Sequence, residues 1–414
     1  MKLQGRLSVH RVASIGVMLM GAFGAVPLVA GQALEVAATG STVKLDLRYR
    51  YEFVNQSGFA DEAKASTLRG RLNFTTPTVN DFMFMAELDA VVVVGADNYN
   101  SGAGTSSPRR NRYPVVADPD YLEANQLYLQ FEGFSDTRVR VGRQRILLDN
   151  QRFVGGVGWR QNEQTYDAVR ITNKSIEAST IDYAFVRNVN RIFGDDVAAG
   201  DHSSETHLLN LQRSFGKIGS LTAYYYGIEN DDAAAFSSDT FGIRFAGKSA
   251  ALKYPLTYTV EVATQSDAAN NPVNYDAGYL RLDAALDFAS VTGLLGYEVL
   301  GGDANNPGRA FRTPIATLHG FNGWADQFLT TPGAGLTDLY VGAKGKAGRF
   351  AWQALWHDFS AEDGSADYGR EIDAVLSTRF GGNYSAMLKV ANFNAANSNF
   401  PNVTKFWLMV SASY

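Results

Sequence analysis

The chain of 414 residues contains no cysteine, and its cationic side chains are outnumbered by acidic ones. Without cysteine it can form neither a disulfide framework nor a thiolate metal site. Its 37 lysines and arginines stand against 42 aspartates and glutamates, which gives a formal net charge of −5. A nucleic-acid binder needs a surplus of cations to neutralise phosphates. We therefore expect no nucleic-acid partner.

Long apolar runs are also missing, with one exception at the N-terminus. There Lys2, Arg6 and Arg11 form a basic start, residues 12–29 are mostly apolar, and the small residues of Gly31-Gln32-Ala33 follow. This order is typical of a secretory signal peptide, and the glycines within the apolar segment argue against a retained anchor. We expect residues 1–33 to be cleaved and residues 34–414 to form the exported protein. No other segment reaches about 18 uninterrupted apolar residues, so no transmembrane helix is expected.

From residue 42 onward the helical period is almost absent, and a period of two recurs. In residues 43–53 the odd positions are apolar or aromatic, whereas the even positions are charged. Residues 405–414 repeat the alternation and end on an aromatic residue, Tyr414. A period of two predicts strands with one apolar and one polar face.

The links between these segments alternate between short turns and long polar stretches, the longest being residues 95–120 and 301–335. Such alternation is typical of a transmembrane up-and-down barrel with short periplasmic turns and long outer loops. We therefore predict an all-β, antiparallel β-barrel of about 18 strands in the bacterial outer membrane, with the long links at the outer rim. A secreted sandwich or solenoid is the alternative, but the sequence shows no repeat of fixed length, and aromatic residues near segment ends fit interfacial girdles.

The last predicted strand, residues 405–414, indicates that the barrel contacts membrane lipid and the machinery that assembles it. Its apolar face would contact outer-membrane lipid, and the terminal aromatic Tyr414 resembles the signal read by the barrel-assembly machinery.

The sequence contains no recognisable motif for catalysis or metal binding. None of the five histidines has a metal-binding spacing such as HExxH, and no GxSxG elbow occurs. His202 and His207 flank an acidic loop, where calcium binding and simple solvation both remain open. We expect no enzymatic activity, no catalytic residue, no metal site and no cofactor.

The most unusual stretch spans residues 137–170. It holds seven arginines and no lysine, and it reads as a hairpin that projects guanidinium groups to one side. These arginines are Arg138, Arg140, Arg143, Arg145, Arg152, Arg160 and Arg170. Two interpretations explain the pattern about equally well: the arginines bind an anionic solute, or they form salt bridges on a solvent-exposed edge of the sheet.

If the apolar faces point to lipid, the charged faces line the lumen. The cations placed there are Arg48, Arg50, Arg69, Arg71, Arg138, Arg140, Arg244, Arg281, Arg379, Lys389 and Lys405. The acids placed there are Asp46, Glu52, Glu87, Asp89, Glu132, Asp283, Glu371 and Asp373. Neighbouring opposite charges should partly cancel, while an arginine fork suits carboxylate recognition and cationic rings select anions.

Two runs carry a family resemblance. GRQRILLDNQRFVGGVGWRQNEQTYDAVRI (residues 142–171) resembles the signature of the alginate export family of outer-membrane porins. So do FRTPIATLHGFNGWADQF (residues 311–328) and GLTDLYVGAKG (residues 335–345). The resemblance implies an 18-stranded monomeric barrel whose arginine-lined constriction passes anionic uronate polymers or oligomers. The resemblance implies that the seven arginines of residues 137–170 line the pore.

The combined expectation is an outer-membrane channel that passes anionic sugars or small carboxylates by diffusion. Its pore-lining set consists of those seven arginines together with Arg48, Arg50, Arg69 and Arg71. A general porin of low selectivity is the main alternative, and a barrel enzyme or an adhesin is a more distant one. The substrate, the direction of transport and the placement of the 301–335 link stay open.

Overall fold

The computed structural model describes residues 40–103, 110–250 and 253–414, so the expected signal peptide lies outside the described residues. Its first nine strands are β1 (Thr42–Gln56), β2 (Ala63–Thr75), β3 (Phe82–Asn98), β4 (Tyr121–Phe134), β5 (Thr137–Gln144), β6 (Thr165–Asn173), β7 (Ser179–Asn190), β8 (Asp201–Ser214) and β9 (Ser220–Ile228). The other nine are β10 (Ser238–Ser249), β11 (Leu256–Asp267), β12 (Asp276–Phe288), β13 (Val291–Leu300), β14 (Leu336–Ala347), β15 (Phe350–Ser360), β16 (Asp367–Phe380), β17 (Tyr384–Ala395) and β18 (Val403–Ser413).

Every strand pairs antiparallel with its neighbours in the chain, and β18 pairs back onto β1 to close an 18-stranded barrel. Closure matters because a bilayer offers no water to satisfy the backbone groups of an open edge. The predicted up-and-down barrel is thereby confirmed. In the part of the chain that the structure describes, no helix has the length and apolar character needed to cross a membrane.

The two faces of the strands carry the expected residues. On β4 the outward-facing Leu127 and Leu129 are exposed, whereas Gln126 and Gln130 are buried inside. On β18 Lys405 and Trp407 point inward and are buried, whereas Val410 is exposed on the outer face. Exposed apolar side chains on the outer surface of a barrel are suited to lipid contact.

Short and long links alternate around the barrel as expected. The short rim has turns such as residues 135–136, 289–290 and 381–383, and both described ends of the chain reach this rim. Five single 3-10 turns occur in the described links: Arg110–Arg112, Gly216–Ile218, Ala234–Phe236, Pro307–Arg309 and Leu318–Gly320.

Two long links, residues 145–164 and 301–335, fold into the lumen. Val154 and Ile315 form a parallel bridge that joins them, and both residues are buried. The expectation that the 301–335 link lies at the outer rim therefore holds only for its ends. Its centre is buried because apolar side chains such as Phe311 and Phe328 pack against the inner wall.

Aromatic clusters hold these two loops against the wall. Phe153 of the first loop contacts Tyr224, Tyr279 and Phe311, with ring centroids 5.4, 5.1 and 5.8 Å away. In the second loop Phe328 contacts Phe359 of β15 at 4.6 Å, along with other rings of β16 and β17. Buried aromatic pairs add stability beyond their burial, so the loops form part of the core.

We expect that removal of β18 from Thr404 onward abolishes folding. The deletion leaves the edges of β1 and β17 unpaired, and each unsatisfied backbone group in lipid costs on the order of several kcal/mol. Heat-modifiable migration in electrophoresis measures the folded fraction. A truncated chain that still inserts and migrates as the folded form would show that closure through β18 is dispensable.

Candidate functional site

The arginines of β1 hold the first inward loop. Arg48 donates to the side chain of Gln161 at 2.9 Å and to the carbonyl of Gly158 at 3.1 Å. Arg50 donates to the carbonyl of Trp159 at 2.5 Å, and its guanidinium stacks over the Trp159 ring at 4.4 Å. Two arginines predicted to line the pore therefore hold the loop that narrows it, and Arg50 also donates to Glu52 of its own strand at 2.8 Å.

The arginines of β2 lie in a dense field of carboxylates. Arg71 donates to both oxygens of Asp89, at 2.7 and 2.5 Å, and it also contacts Glu163 at 3.1 Å. Arg145 of the loop pairs with Glu163 and with Glu87 of β3. Arg69 pairs with Asp46 in the same way. Positive charge here is neutralised locally, as expected when ions leave water.

Arg152 and Arg160 lie within the first loop and bind it to other parts of the lumen. Arg152 is almost fully buried and donates to Glu298 of β13 at 2.6 Å and to Asn322 of the second loop at 2.9 Å. Arg160 donates to Glu52 of β1 at 2.9 Å and to Asp326 of the second loop at 3.1 Å. Each arginine thus joins both loops and the wall.

Asp326 is the centre of a buried ionic network. Besides Arg160, it accepts from Lys405 of β18 at 2.7 Å and from Nδ1 of His319 at 2.7 Å. Burial alone would raise the pKa of this carboxyl, but His319, Lys405 and Arg160 hold it well below its usual range.

His319 is held in one tautomer. Its Nδ1 donates to Asp326, so its Nε2 accepts from Lys389 of β17, at 2.6 Å. Burial lowers the pKa of His319 to about 3; Asp326 opposes this shift and Lys389 adds to it. A neutral imidazole is therefore the form that fits between the carboxylate and the ammonium.

Lys389 is surrounded by three indole rings. Its Nζ lies 4.1 Å from the ring centroid of Trp159, 3.8 Å from that of Trp324 and 5.5 Å from that of Trp407. Trp159 also stacks on His319 at 4.4 Å, almost coplanar. Aromatic faces attract a desolvated cation, so this cage stabilises a buried lysine that has no carboxylate within ion-pair distance among the described residues.

The tip of the second loop is fixed by backbone hydrogen bonds to buried acids. The N–H of Ala325 donates to Glu371 at 2.7 Å, and the N–H of Trp324 donates to Asp373 at 3.1 Å. Gly323 has φ +82°, and a Cβ there would lie 2.4 Å from a Glu371 carboxylate oxygen. Only glycine allows this turn to approach the wall so closely.

The remaining arginines of residues 137–170 lie on β5 and β6. Arg138, Arg140 and Arg170 occupy the luminal register, where Arg140 lies directly opposite Arg170. Arg143 lies opposite Leu127 and Asp167, in the outward register of Val141, and pairs with Asp167 at 2.8 Å. The register therefore places Arg143 on the outer side of the wall rather than among the luminal arginines.

A cavity of about 210 Å³ remains beside the loop tip. Phe321 projects there between two guanidinium groups, those of Arg152 at 4.9 Å and Arg281 at 5.0 Å. Arg281 is paired in turn with Glu298 at 3.2 Å and Asp283 at 2.7 Å. No metal-binding group of histidines and acids occurs among the described residues.

Sequence reasoning missed the network around Asp326, His319 and Lys389. Lys389 was expected in the lumen from the period of two, but nothing in its sequence neighbourhood points to Trp159 or His319. The signal that could have found the network is the density of His, Trp and Asp in residues 319–326.

The closed barrel with inward loops defines the class of an outer-membrane porin. The alginate export family matches residues 41–293, and the chain belongs to that family. The matched range includes the first run that carried the resemblance, residues 142–171, and ends before the second. Family and fold together indicate a transport channel. No curated protein matches the sequence.

Solved porins share the fold at low sequence identity. OccAB4 of Acinetobacter baumannii superposes with a TM-score of 0.70 at 13% identity, over 91% of this chain and 99% of that one. OpdK of Pseudomonas aeruginosa, solved with vanillate, gives 0.69 at 13% identity, over 90% and 98%. OccK5 (OpdH) of the same species gives 0.68 at 12% identity, over 91% and 98%.

We expect Asp326→Asn to loosen the second loop and widen the pore. The substitution leaves Arg160 and Lys405 without their shared carboxylate, and breaking a buried ion pair costs about 3–5 kcal/mol. Single-channel conductance should rise and become noisier, while heat-modifiability shows that the barrel persists. An unchanged conductance with unchanged noise would mean that the network does not hold the loop.

The packing around His319 should weaken as the pH falls. A released His319 takes up a proton below about pH 6.5, whereas the packed imidazole resists protonation down to about pH 3. The packed state therefore loses stability across this window, and conductance noise should increase. His319→Gln can donate to Asp326 and accept from Lys389 without titrating, so it should flatten this part of the pH profile. An identical profile in both proteins would exclude His319 as the cause.

Proposed function

We propose that this outer-membrane channel passes anionic sugars of the uronate type, or other small carboxylates, by diffusion through a lumen narrowed by two folded loops. No energy source and no cofactor are part of the proposal. Selectivity depends on cations that the protein leaves available to a solute, because a paired arginine offers little net charge.

The proposal rests on the guanidinium of Arg140, which lies in the lumen without an acidic partner in the part of the chain that the structure describes. Its Nε donates to Gln130 at 2.6 Å, its guanidinium lies 4.8 Å over the Tyr128 ring, and among the described residues no carboxylate forms an ion pair with it. Arg170, which lies directly opposite, donates two hydrogen bonds of 2.8 Å to the carboxylate of Asp182, so its charge is neutralised. A half-buried guanidinium with free donors suits a solute carboxylate.

The other arginines of the expected pore lining contribute differently. Nine of the eleven form ion pairs, and Arg48 donates to the first loop instead. Those among them that contact the two loops support the proposal by shaping a rigid constriction rather than by a dense positive potential. This division of roles favours modest anion preference with size selection.

The comparisons are consistent with a carboxylate solute. The chain belongs to the alginate export family, and alginate is a polymer of uronates. The structurally similar OpdK was solved with vanillate, which is also a carboxylate. A general porin of low selectivity remains the competing function, since most luminal charge is neutralised.

We expect Arg138→Ala/Arg140→Ala to shift the channel from anion preference toward neutrality. A tenfold change in the anion-to-cation permeability ratio corresponds to ~1.4 kcal/mol, and reversal potentials resolve such a change. The lysine pair should keep the ion preference but weaken block by uronate oligomers, because an ammonium lacks the planar fork. Most of the effect should come from Arg140, since Arg138 already pairs with Glu132 at 2.7 Å.

Arg187→Ala is the matched control for this experiment. Arg187 is an exposed arginine at an irregularity of β7, where it pairs with the exposed Glu205 at 2.6 Å and lies 6.0 Å over the Phe185 ring. Its removal should leave the reversal potential unchanged. A wild-type channel without anion preference, which uronate oligomers do not block, would favour the general porin.

A further inference from the structure

Four exposed cations on the luminal faces of the described strands form no ion pair among the described residues. They are Lys44 of β1, Lys344 and Lys346 of β14, and Arg379 of β16. All four lie within a few residues of the short turns. Short turns of outer-membrane barrels face the periplasm, so these cations surround the periplasmic mouth.

The register of β14 and β16 shows that these side chains project into the lumen. Lys344 and Lys346 share the register of Asp338, which is buried inside the barrel, whereas the intervening Val341 is exposed on the outer face. Arg379 shares the register of the buried Glu371. Side chains two residues apart on a strand lie on the same face.

The unpaired acids of the short turns within the described residues, Asp81, Asp136 and Glu177, belong to the links between β2 and β7, on strands that are not neighbours of β14–β16. Asp287 of β12 accepts from Lys248 at 3.3 Å and from Thr292 at 2.8 Å. Glu132 of β4 pairs with Arg138. A positive arc over β14–β16 is therefore left open to the aqueous vestibule.

The opposite mouth has the reverse charge. A cavity of about 630 Å³ between the long loops is lined by Asp267, Asp276, Asp303 and Asp363, with Arg309 as its cation. Arg309 lies 3.5 Å from Asp303, whereas the other three acids form no ion pair among the described residues. The two ends of the channel would thus attract ions of opposite sign.

We propose that the arc of Lys344, Lys346 and Arg379 is a docking surface for an anionic saccharide chain that enters from the periplasm. Neighbouring strands are about 4.8 Å apart, so β14 and β16 spread these charges over about 10 Å. That spacing suits a ligand with several carboxylates better than a single small anion. The inference rests on the proposed function and adds a side of entry to it.

The test measures block of single-channel current by size-fractionated alginate oligosaccharides added to one side at a time. The chain lacks cysteine, so Ser365→Cys in an exposed long loop can be biotinylated to report orientation by streptavidin binding. Block from the periplasmic side should have an association rate about tenfold higher than from the other side at low salt. The difference should shrink at high salt, because screening shortens the reach of the charges.

Lys344→Gln/Lys346→Gln should reduce the periplasmic association rate severalfold and leave block from the other side unchanged. Lys217→Gln/Lys253→Gln removes the same charge from exposed positions on the short turns and should leave both rates unchanged. Heat-modifiability of each variant establishes that it is folded. Equal block from both sides of the wild type, or equal loss in both double variants, would overturn the docking surface.

The outcomes separate this inference from the function on which it rests. A wild type that conducts without anion preference and is not blocked from either side contradicts the proposed function itself. A wild type that prefers anions but is blocked equally from both sides contradicts only the periplasmic docking surface.

Discussion

The structure depends on one constraint, which is that every backbone group at membrane depth must find a partner within the protein. Eighteen antiparallel strands satisfy it only because β18 returns to β1 along eleven paired positions, from Asp46–Ser413 to Gln56–Val403. Closure then fixes the two faces of each strand. Lipid contacts the apolar face, so most charged side chains of the strands lie in the interior.

That interior is crowded, so its charges must pair with one another or lose solvation without compensation. The two inward loops resolve this problem and create the constriction at the same time. Arg152 and Arg160 join the loops to Glu298 and Glu52 of the wall. The carboxylate of Asp326 accepts hydrogen bonds from Arg160, Lys405 and His319. Structural pairing and pore narrowing are thus the same set of contacts.

Pairing also determines where charge remains available to a solute. Beside the loops, most arginines are neutralised by acids or by loop carbonyls. Toward the short turns, Arg140, Lys344, Lys346 and Arg379 form no ion pair among the described residues and keep free donors. In the function that we propose, the attraction of anions therefore comes from the vestibule and its walls more than from the narrowest point.

The sequence by itself determined the barrel, its strand number and the faces of its strands, because a period of two and alternating link lengths are local patterns that membrane burial enforces. It also identified the family through residues 142–171. Only the tertiary structure decided which charges cancel. Arg143 lies outside the luminal set because its register places it opposite Asp167 on the outer side of the wall. Lys389 contacts His319, seventy positions away, because the 301–335 loop folds into the lumen. Contacts between such distant residues depend on how the loops pack inside the closed wall, and no local pattern encodes that packing.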